Sequence, residues 1–241
     1  MKIALIGYGK MGKTIERLSV ERGHTITHKF STSNPFLNTG CIDADVAIEF
    51  TEPNLVLEHI QHCNKIGIPV VVGTTAWYKD FEKIKNDVIA NNGTLFYATN
   101  FSLGVNLFFL ANQYLAKLMG AHPEYSCKIE EIHHTEKKDA PSGTAITTAE
   151  GIVAEHGSYE NWQLIENNEH ASEKSIEITA LRLPNVPGTH RVFYENNIDK
   201  ITLTHEAKSR DGFALGSILA AEWVFDKKGI FNMKDLLNFD K

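Results

Sequence analysis

The sequence predicts an α/β protein built in two parts: a parallel sheet covered by helices on both faces, then an α+β part with a mixed or antiparallel sheet. Three observations carry this reading. Short apolar runs alternate with amphipathic segments over roughly the first hundred residues, the signature of strand-helix-strand units. After Asn100 the pattern changes to β-rich segments with few helices between them. A glycine-rich turn, GYGKMG, stands between the first apolar run and the first amphipathic one.

The elements follow in order. KIALI, TITHKF, DVAIEF, PVVV and TLFYA read as strands, with helices over 10–22, 53–66 and 77–91 between them. A long apolar helix over 103–119 leads to the strand SCKIEEI, a helix opening at DAPSGTA, and the strands SIEITALRL, HRVFY and KITLTHEAK. In SIEITALRL, Ile176, Ile178 and Ala180 alternate with Glu177 and Thr179, the period of a sheet with one covered face. The polar stretch 156–174 reads as loop. In GFALGSILAAEWVFD, Leu215, Ile218, Leu219, Val224 and Phe225 fit the buried face of a helix returning to the first part.

Composition narrows the function classes. With 241 residues, 42% hydrophobic and 22% charged, the chain can bury one large core or two smaller ones. A net charge of -6 with scattered Lys and Arg leaves no footprint for nucleic acid or an anionic membrane. No apolar run reaches the roughly 18 residues of a membrane span, and MKIALIG carries no signal-peptide pattern, so a cytoplasmic protein is expected. Cys41, Cys63 and Cys127 lack CxxC spacing and read as reduced, mostly buried fillers.

The glycine turn comprises Gly7, Tyr8, Gly9, Lys10, Met11 and Gly12. A GxGxxG between strand and helix suits a dinucleotide pyrophosphate: one glycine turns, one admits the phosphates, one lets helix and strand pack closely. The first part is therefore predicted to be a Rossmann-type nucleotide domain. Three more turns fall at successive strand ends, where such sheets bind ligands: Phe50 and Thr51; Gly73, Thr74 and Thr75; Ala98, Thr99, Asn100 and Phe101. TITHKFSTS has no acidic residue to grip ribose hydroxyls, whereas Lys29 is nearby with Ser31 and Thr32 at the tip. A 2′-phosphate would be tolerated, which favours NADPH with NADH also usable.

IEEIHHTEKKDAPSGTA concentrates the remaining chemistry. The strand delivers His133 and His134 at its exit, and Asp139 and Pro141 mark a helix start with Ser142, Gly143 and Thr144 in its first turn. Backbone amides there attract a small carboxylate, Lys137 and Lys138 add cationic donors, and histidine or lysine can deliver a proton. Zinc held by His133, His134 and His156 or His190, a Schiff base on Lys137, and a solvated loop with a capped helix are the competing readings. Adjacent histidines without HExxH spacing argue against the metal, and no metal is assigned. The stretch best fits an anion clamp joined to a proton donor.

In order along nearly the whole chain, GYGKMG, FTEP, GTT, ATNFSLGVN, HHTEKKDAPSGTA and THEAKSRDGFALG resemble the dihydrodipicolinate reductase family of lysine and diaminopimelate biosynthesis. The resemblance implies hydride transfer from NADPH or NADH to a cyclic dicarboxylate, giving tetrahydrodipicolinate. It implies a nucleotide domain over 1–103 and 214–241, a substrate and oligomerisation domain over 104–213, and a homotetramer. By position, His133 resembles the proton donor and acceptor, Lys137 a proton donor, and His134 a substrate contact. Gly143 and Thr144, beside Ser142, match the carboxylate holders. Ser209, Arg210 and Phe213 match the second hinge, with Arg210 also at the cofactor site, and the first hinge falls near 102–105. The glycine turn is one residue shorter than the family's usual pattern, and Pro184 stands where many members have glycine, while Arg182, Gly188 and His190 keep their places. Two other readings compete: a dehydrogenase of another small acid such as aspartate, and a non-enzymatic NAD(P)H sensor, which would need no paired His and Lys beside an anion-holding helix.

Overall fold

A computed structural model describes residues 1–165, 171–209 and 211–238. The chain divides into two compact units, one formed by Met1–Ser102 with Asp211–Lys241 and the other by Leu103–Arg210.

In the first unit β1 (Lys2–Ile6), β2 (Thr25–Phe30), β3 (Val46–Glu49), β4 (Val70–Val72), β5 (Thr94–Tyr97) and β11 (Gly229–Phe231) form one sheet of order β11-β5-β4-β3-β1-β2, parallel throughout. The helices are α1 (Lys10–Glu21), α2 (Val56–Ile66), α3 (Phe81–Ala90), α6 (Asp211–Val224) and α7 (Met233–Leu237). The inner strands β1, β3, β4 and β5 are mainly apolar because both faces are covered, whereas the edge strand β2 is not. Ile3 and Leu5 of β1 join an apolar cluster with Ile15 of α1 and Ile218 of α6. Ala4 and Ile6 join another with Ile60 of α2 and Ile84 of α3. The order reverses between β1 and β3, and at such a switch point loops diverge to leave a crevice beyond the strand ends.

The second unit is a mixed sheet. β6 (Ser126–His133), β7 (Asn161–Leu164), β8 (Ser175–Arg182), β9 (Thr189–Glu195) and β10 (Lys200–Glu206) lie in the order β10-β9-β6-β8-β7. β9 is antiparallel to β6 and β10, while β8 is parallel to β6 and β7. Cys127, Ile129, Ile176, Ile178, Val192 and Tyr194 pack against α4 (Leu103–Met119) and α5 (Gly143–His156). Lys128–Glu177 and Arg191–Glu130 ion pairs occupy intervening positions, so alternation holds on these strands.

Several expectations are corrected. Asn161–Leu164 is a strand inside the stretch read as loop, and residues 166–170 of that stretch lie outside the described residues. Strand β11 and helix α7 were not anticipated, because elements of 3 and 5 residues give too short a periodic signal. Helix α2 opens at Val56, and Trp77 precedes a 3₁₀ turn (Tyr78–Asp80) rather than starting α3. The buried face of α6 is made of small residues, Ala214, Gly216, Ser217, Ala220 and Ala221, around Ile218 and Val224. Leu215 and Leu219 are only partly buried there, and Phe225 lies beyond the helix and is exposed. A Cβ on Gly216 would fall 1.7 Å from the Phe101 carbonyl, so close backbone approach selects the small side chains. Cys63 and Cys127 are buried, but Cys41 is exposed. Among the described residues no helix is long and apolar enough to cross a membrane.

Candidate active site

The nucleotide-binding expectation rests on the carboxyl ends of β1, β3, β4 and β5. Gly7 has φ +98, and a Cβ there would fall 2.0 Å from the Phe50 carbonyl oxygen; one on Gly12 would fall 2.3 Å from the Gly7 carbonyl. Neither position tolerates a side chain. Gly9 differs, since a Cβ there would meet nothing within 4 Å. Gly9 is also the N-cap of α1 and lends no side chain to the cap, which leaves first-turn amides and the positive helix end open to a ligand. An open cradle beside an uncapped helix start fits a dinucleotide pyrophosphate.

The other predicted turns are bonded to one another. The Thr51 amide donates to Thr74 Oγ1 at 2.7 Å, the Gly73 amide to the Glu49 carbonyl at 2.9 Å, and Trp77 Nε1 to the Thr74 carbonyl at 2.9 Å. Phe50 and Phe101 lie with ring centroids 6.0 Å apart, and Gly73 is held to glycine by the Phe50 ring, 2.1 Å from where its Cβ would stand. Ala98 and Phe101 are buried in the apolar cluster, so their contribution to a ligand is backbone. Thr75 and Thr99 are exposed, and Asn100 is half-buried. Lys29 is not idle: its ammonium pairs with Glu16 at 2.5 Å and lies 5.0 Å from the Tyr8 ring centre, while the Tyr8 hydroxyl bonds the same carboxylate. These contacts, with Lys29 first, hold Glu16 below the usual carboxylate range. Arg210 lies outside the described residues.

In the second unit the chemistry gathers at the end of β6. Alternation places Cys127, Ile129, Glu131 and His133 on one strand face, so two ionisable groups continue an apolar row. Glu131 is fully buried and His133 is 9% exposed. His133 Nδ1 stands 3.3 Å from Glu131 Oε2, close enough for an ion pair but not aligned as a hydrogen bond. The other carboxylate oxygen accepts from the Ser142 amide at 3.0 Å and from Arg182 Nη2 at 3.1 Å. Burial alone would push the Glu131 carboxyl up, but the interactions with His133 and Ser142 outweigh it and hold the group at about 2.

His190 faces Glu131 across the β6–β9 ladder, and its ring centre is 5.1 Å from that of His133. Burial first, and the neighbouring His133 second, lower its pKa to about 3. Glu131, His133 and His190 bring ligand-type atoms within 4.8 Å of one another. The Arg182 guanidinium already supplies the positive charge beside Glu131 that a cation would bring. Of the zinc set weighed from sequence the fold brings His133 and His190 together, with Glu131 as the third group, whereas His156 lies in α5 and His134 follows the strand end, half-buried.

The helix start is displaced from the expected one. Ser142, not Asp139, is the N-cap of α5, its hydroxyl accepting from the Ala145 amide at 3.2 Å, and Pro141 precedes the helix through a cis bond. Asp139 is diverted because its carboxylate holds Lys137 Nζ, 2.8 Å from each oxygen, a contact that leads the causes lowering the Asp139 pKa. The α5 ladder begins with Ile146 donating to the Ser142 carbonyl at 3.0 Å, so the Gly143 and Thr144 amides stand outside it. A Cβ on Gly143 would meet nothing within 4 Å, which leaves space for an anion at the helix mouth.

Sequence reasoning gave no role to Glu131. The signal was present in the two-residue period of SCKIEEIH, where position 131 belongs to the covered face. Arg182 was noted only for keeping its place and His190 also as an alternative zinc ligand, and strand pairing is what brings them to Glu131 and His133.

Comparison with known proteins places the chain. The family model "Dihydrodipicolinate reductase, N-terminus" matches residues 1–101 and "Dihydrodipicolinate reductase, C-terminus" matches residues 104–237. A 4-hydroxy-tetrahydrodipicolinate reductase of Christiangramia forsetii is 49% identical over 238 residues, 99% of this chain and 98% of the relative. One from Rickettsia rickettsii is 34% identical, covering 95% of each. Among solved structures, the dipicolinate-bound dihydrodipicolinate reductase of Paenisporosarcina sp. TG-14 matches 98% of both chains with a TM-score of 0.75 at 24% identity, a likeness of fold. With family models over both units and a relative at near half identity, the chain belongs to the dihydrodipicolinate reductase family.

Proposed function

We propose that this chain reduces 4-hydroxy-tetrahydrodipicolinate to tetrahydrodipicolinate with NADPH or NADH, as an oxidoreductase of lysine and diaminopimelate biosynthesis. The carrying observation is the juxtaposition at the mouth of α5: open space at Gly143 in the first turn, with His133 joined through Glu131 to the cap residue Ser142. An oxidoreductase needs both an anchor for an anionic substrate and an acid to complete the reduction. This stretch supplies both. The family assignment favours the reductase over a dehydrogenase of another small acid, and the His–Lys block argues against a sensor.

The nucleotide, when bound, supplies the hydride. Gly9 and the first turn of α1 hold its pyrophosphate, with Tyr8, Lys10 and Met11 along the turn and Gly7 and Gly12 keeping its shape. Phe50, Thr51, Gly73, Thr74, Thr75, Ala98, Thr99, Asn100 and Phe101 line the strand ends beside it, and Arg210 contributes from the second hinge. Lys29 carries its charge in a pair with Glu16, so a 2′-phosphate competes with that carboxylate.

At the substrate, Gly143 and Thr144 hold one carboxylate at the positive end of α5, with Ser142 fixing that end and His134 contacting the ring. Clamping the acid groups orients the ring carbon that is reduced. The 4-hydroxyl leaves as water, hydride adds to the conjugated imine that remains, and a single proton supplied by the His133 and Lys137 pair neutralises the charge that develops. Residues 1–103 and 214–241 serve the nucleotide and 104–213 the substrate and subunit contacts, in a cytoplasmic homotetramer.

The test is loss of NADPH absorbance when freshly prepared 4-hydroxy-tetrahydrodipicolinate is added to the purified chain. Oxidation with a different imino or keto acid, and none with this one, overturns the substrate. A crystal soaked with pyridine-2,6-dicarboxylate that places the compound away from Gly143 and Thr144 overturns the clamp.

A further inference from the structure

One buried carboxylate touches both halves of the substrate machinery. Glu131 Oε1 accepts from the Ser142 amide at 3.0 Å and Arg182 Nη2 at 3.1 Å, while Oε2 lies 3.3 Å from His133 Nδ1. Arg182 extends the connection, because it also donates to the Asp139 carbonyl at 2.6 Å and the Lys137 carbonyl at 3.4 Å. Residues 134–141 join strand to helix with no regular structure of their own, and these bonds tie that segment back to the sheet.

We propose that Glu131 and Arg182 are positioning residues that hold the proton donor and the anion-binding helix end as one unit. The inference rests on the functional reading above, and in it neither residue touches substrate. Glu131 acts through His133 by drawing the Nδ1 proton inward, which leaves Nε2 as the nitrogen that takes up a proton and passes it to the substrate. His133 Nδ1 and Glu131 Oε2 have no other hydrogen-bond partner among the described residues, and a small ring rotation converts their ion pair into a bond. Glu131 acts through Ser142 by anchoring the amide of the residue whose hydroxyl caps α5. Arg182 keeps a charge buried at Glu131 from standing unpaired, and its planar fork serves that carboxylate and the Asp139 carbonyl through Nη2 and the Lys137 and Leu181 carbonyls through Nε and Nη1, a set of bonds that one ammonium cannot reproduce. Catalytic groups must keep their direction within about 0.5 Å and 10–20°, and a buried carboxylate hydrogen-bonded through one oxygen and ion-paired through the other gives that rigidity.

Glu131→Gln separates positioning from bulk stability, since it keeps the volume and an acceptor for the Ser142 amide but removes the charge. The expected result is a fall in kcat of roughly 10- to 100-fold, with the Kd of pyridine-2,6-dicarboxylate within about threefold of wild type. In a His133→Ala background the same change costs less than about threefold, because the two residues act together. Arg182→Met lowers kcat similarly and Arg182→Lys does not restore it. ¹⁵N spectra of the histidine rings supply a readout independent of turnover: His133 carries its proton on Nδ1 in the wild type and loses that preference in Glu131→Gln. Where Glu131→Gln does not fold, Arg182→Met carries the same expectations. Losses that multiply in the double variant, or His133 ring signals unmoved by either change, overturn the proposal. Failure of the wild type to oxidise NADPH with this substrate sinks the functional reading instead, and the ring signals still decide the positioning.

Discussion

The proposed function places an anion at two helix amino termini, and the two are built differently. At α1 the N-cap is Gly9, with no side-chain cap and open space where its Cβ would be. At α5 the N-cap is Ser142, whose hydroxyl serves Ala145 and whose amide is held by buried Glu131. The first site works by subtraction: glycines clear a path to amides and dipole, which suits a bulky diphosphate that approaches the backbone itself. The second works by addition, with a network that fixes the helix end relative to a proton donor. Both exploit the same partial charge, but only the second must set direction as well as affinity.

The largest effect expected from breaking this contrast lies at the glycine turn. Gly7→Ala puts a Cβ 2.0 Å from the Phe50 carbonyl at φ +98, and should abolish NADPH binding and lower thermal stability. Gly9→Ala, at the open position, should weaken NADPH while moving Tm by less than about 2 °C, measured by calorimetry alongside cofactor titration. A large Tm loss in Gly9→Ala would mean that this glycine serves packing rather than the ligand.

At α5 the effects should fall on turnover. His133→Ala or Lys137→Ala should lower kcat by about 10²-fold or more, the scale of a general acid, and near-normal steady-state turnover in both would remove them from the mechanism. Gly188→Ala is subtler. Its methyl would stand 3.1 Å from His133 Nε2, so kcat should drop about tenfold with the KM for NADPH unchanged. An equal loss in His133→Ala and His133→Ala/Gly188→Ala would show that the methyl acts through the imidazole.

The smallest effect is the pH dependence that the second site contributes. His190 has a folded value of about 3 against 6.5, and Glu131 about 2 against 4.5. In both cases the unfolded chain binds the proton more readily, so stability rises with pH across those windows. The His190 contribution is complete above about pH 6.5 and is lost towards 3; the Glu131 contribution is complete above about 4.5 and is lost towards 2. Urea midpoints measured across this range should flatten in the upper window for His190→Gln and in the lower one for Glu131→Gln. Curves unchanged by either substitution would place the proton uptake elsewhere.

Much of this was legible before any coordinates. Continuous apolar runs announced strands covered on both faces, and GYGKMG after KIALI announced the turn at the nucleotide end, since both signals reside in neighbouring residues. The strand positions of Glu131 and His133 were equally local, yet Glu131 went unassigned because a carboxylate in an apolar row has no meaning without its partners. The helix start at α5 was misplaced because Asp139 is as good a capping residue as Ser142 until Lys137 is seen to occupy it. Small buried residues in α6 were overlooked for larger leucines, because only the approach of the Phe101 carbonyl to Gly216 makes size decisive there.

By itself the sequence determined most of the succession of elements, the glycine turn and the family, because periodicity, turn chemistry and motif order need only residues near one another. Tertiary structure alone decided that Arg182 from β8 and His190 from β9 meet Glu131 and His133 on β6, that Lys29 is answered by Glu16, and which residue caps α5. The physical reason is that a buried charge takes its behaviour from whatever strand pairing and helix packing bring within a few ångströms, and those neighbours lie far away along the chain.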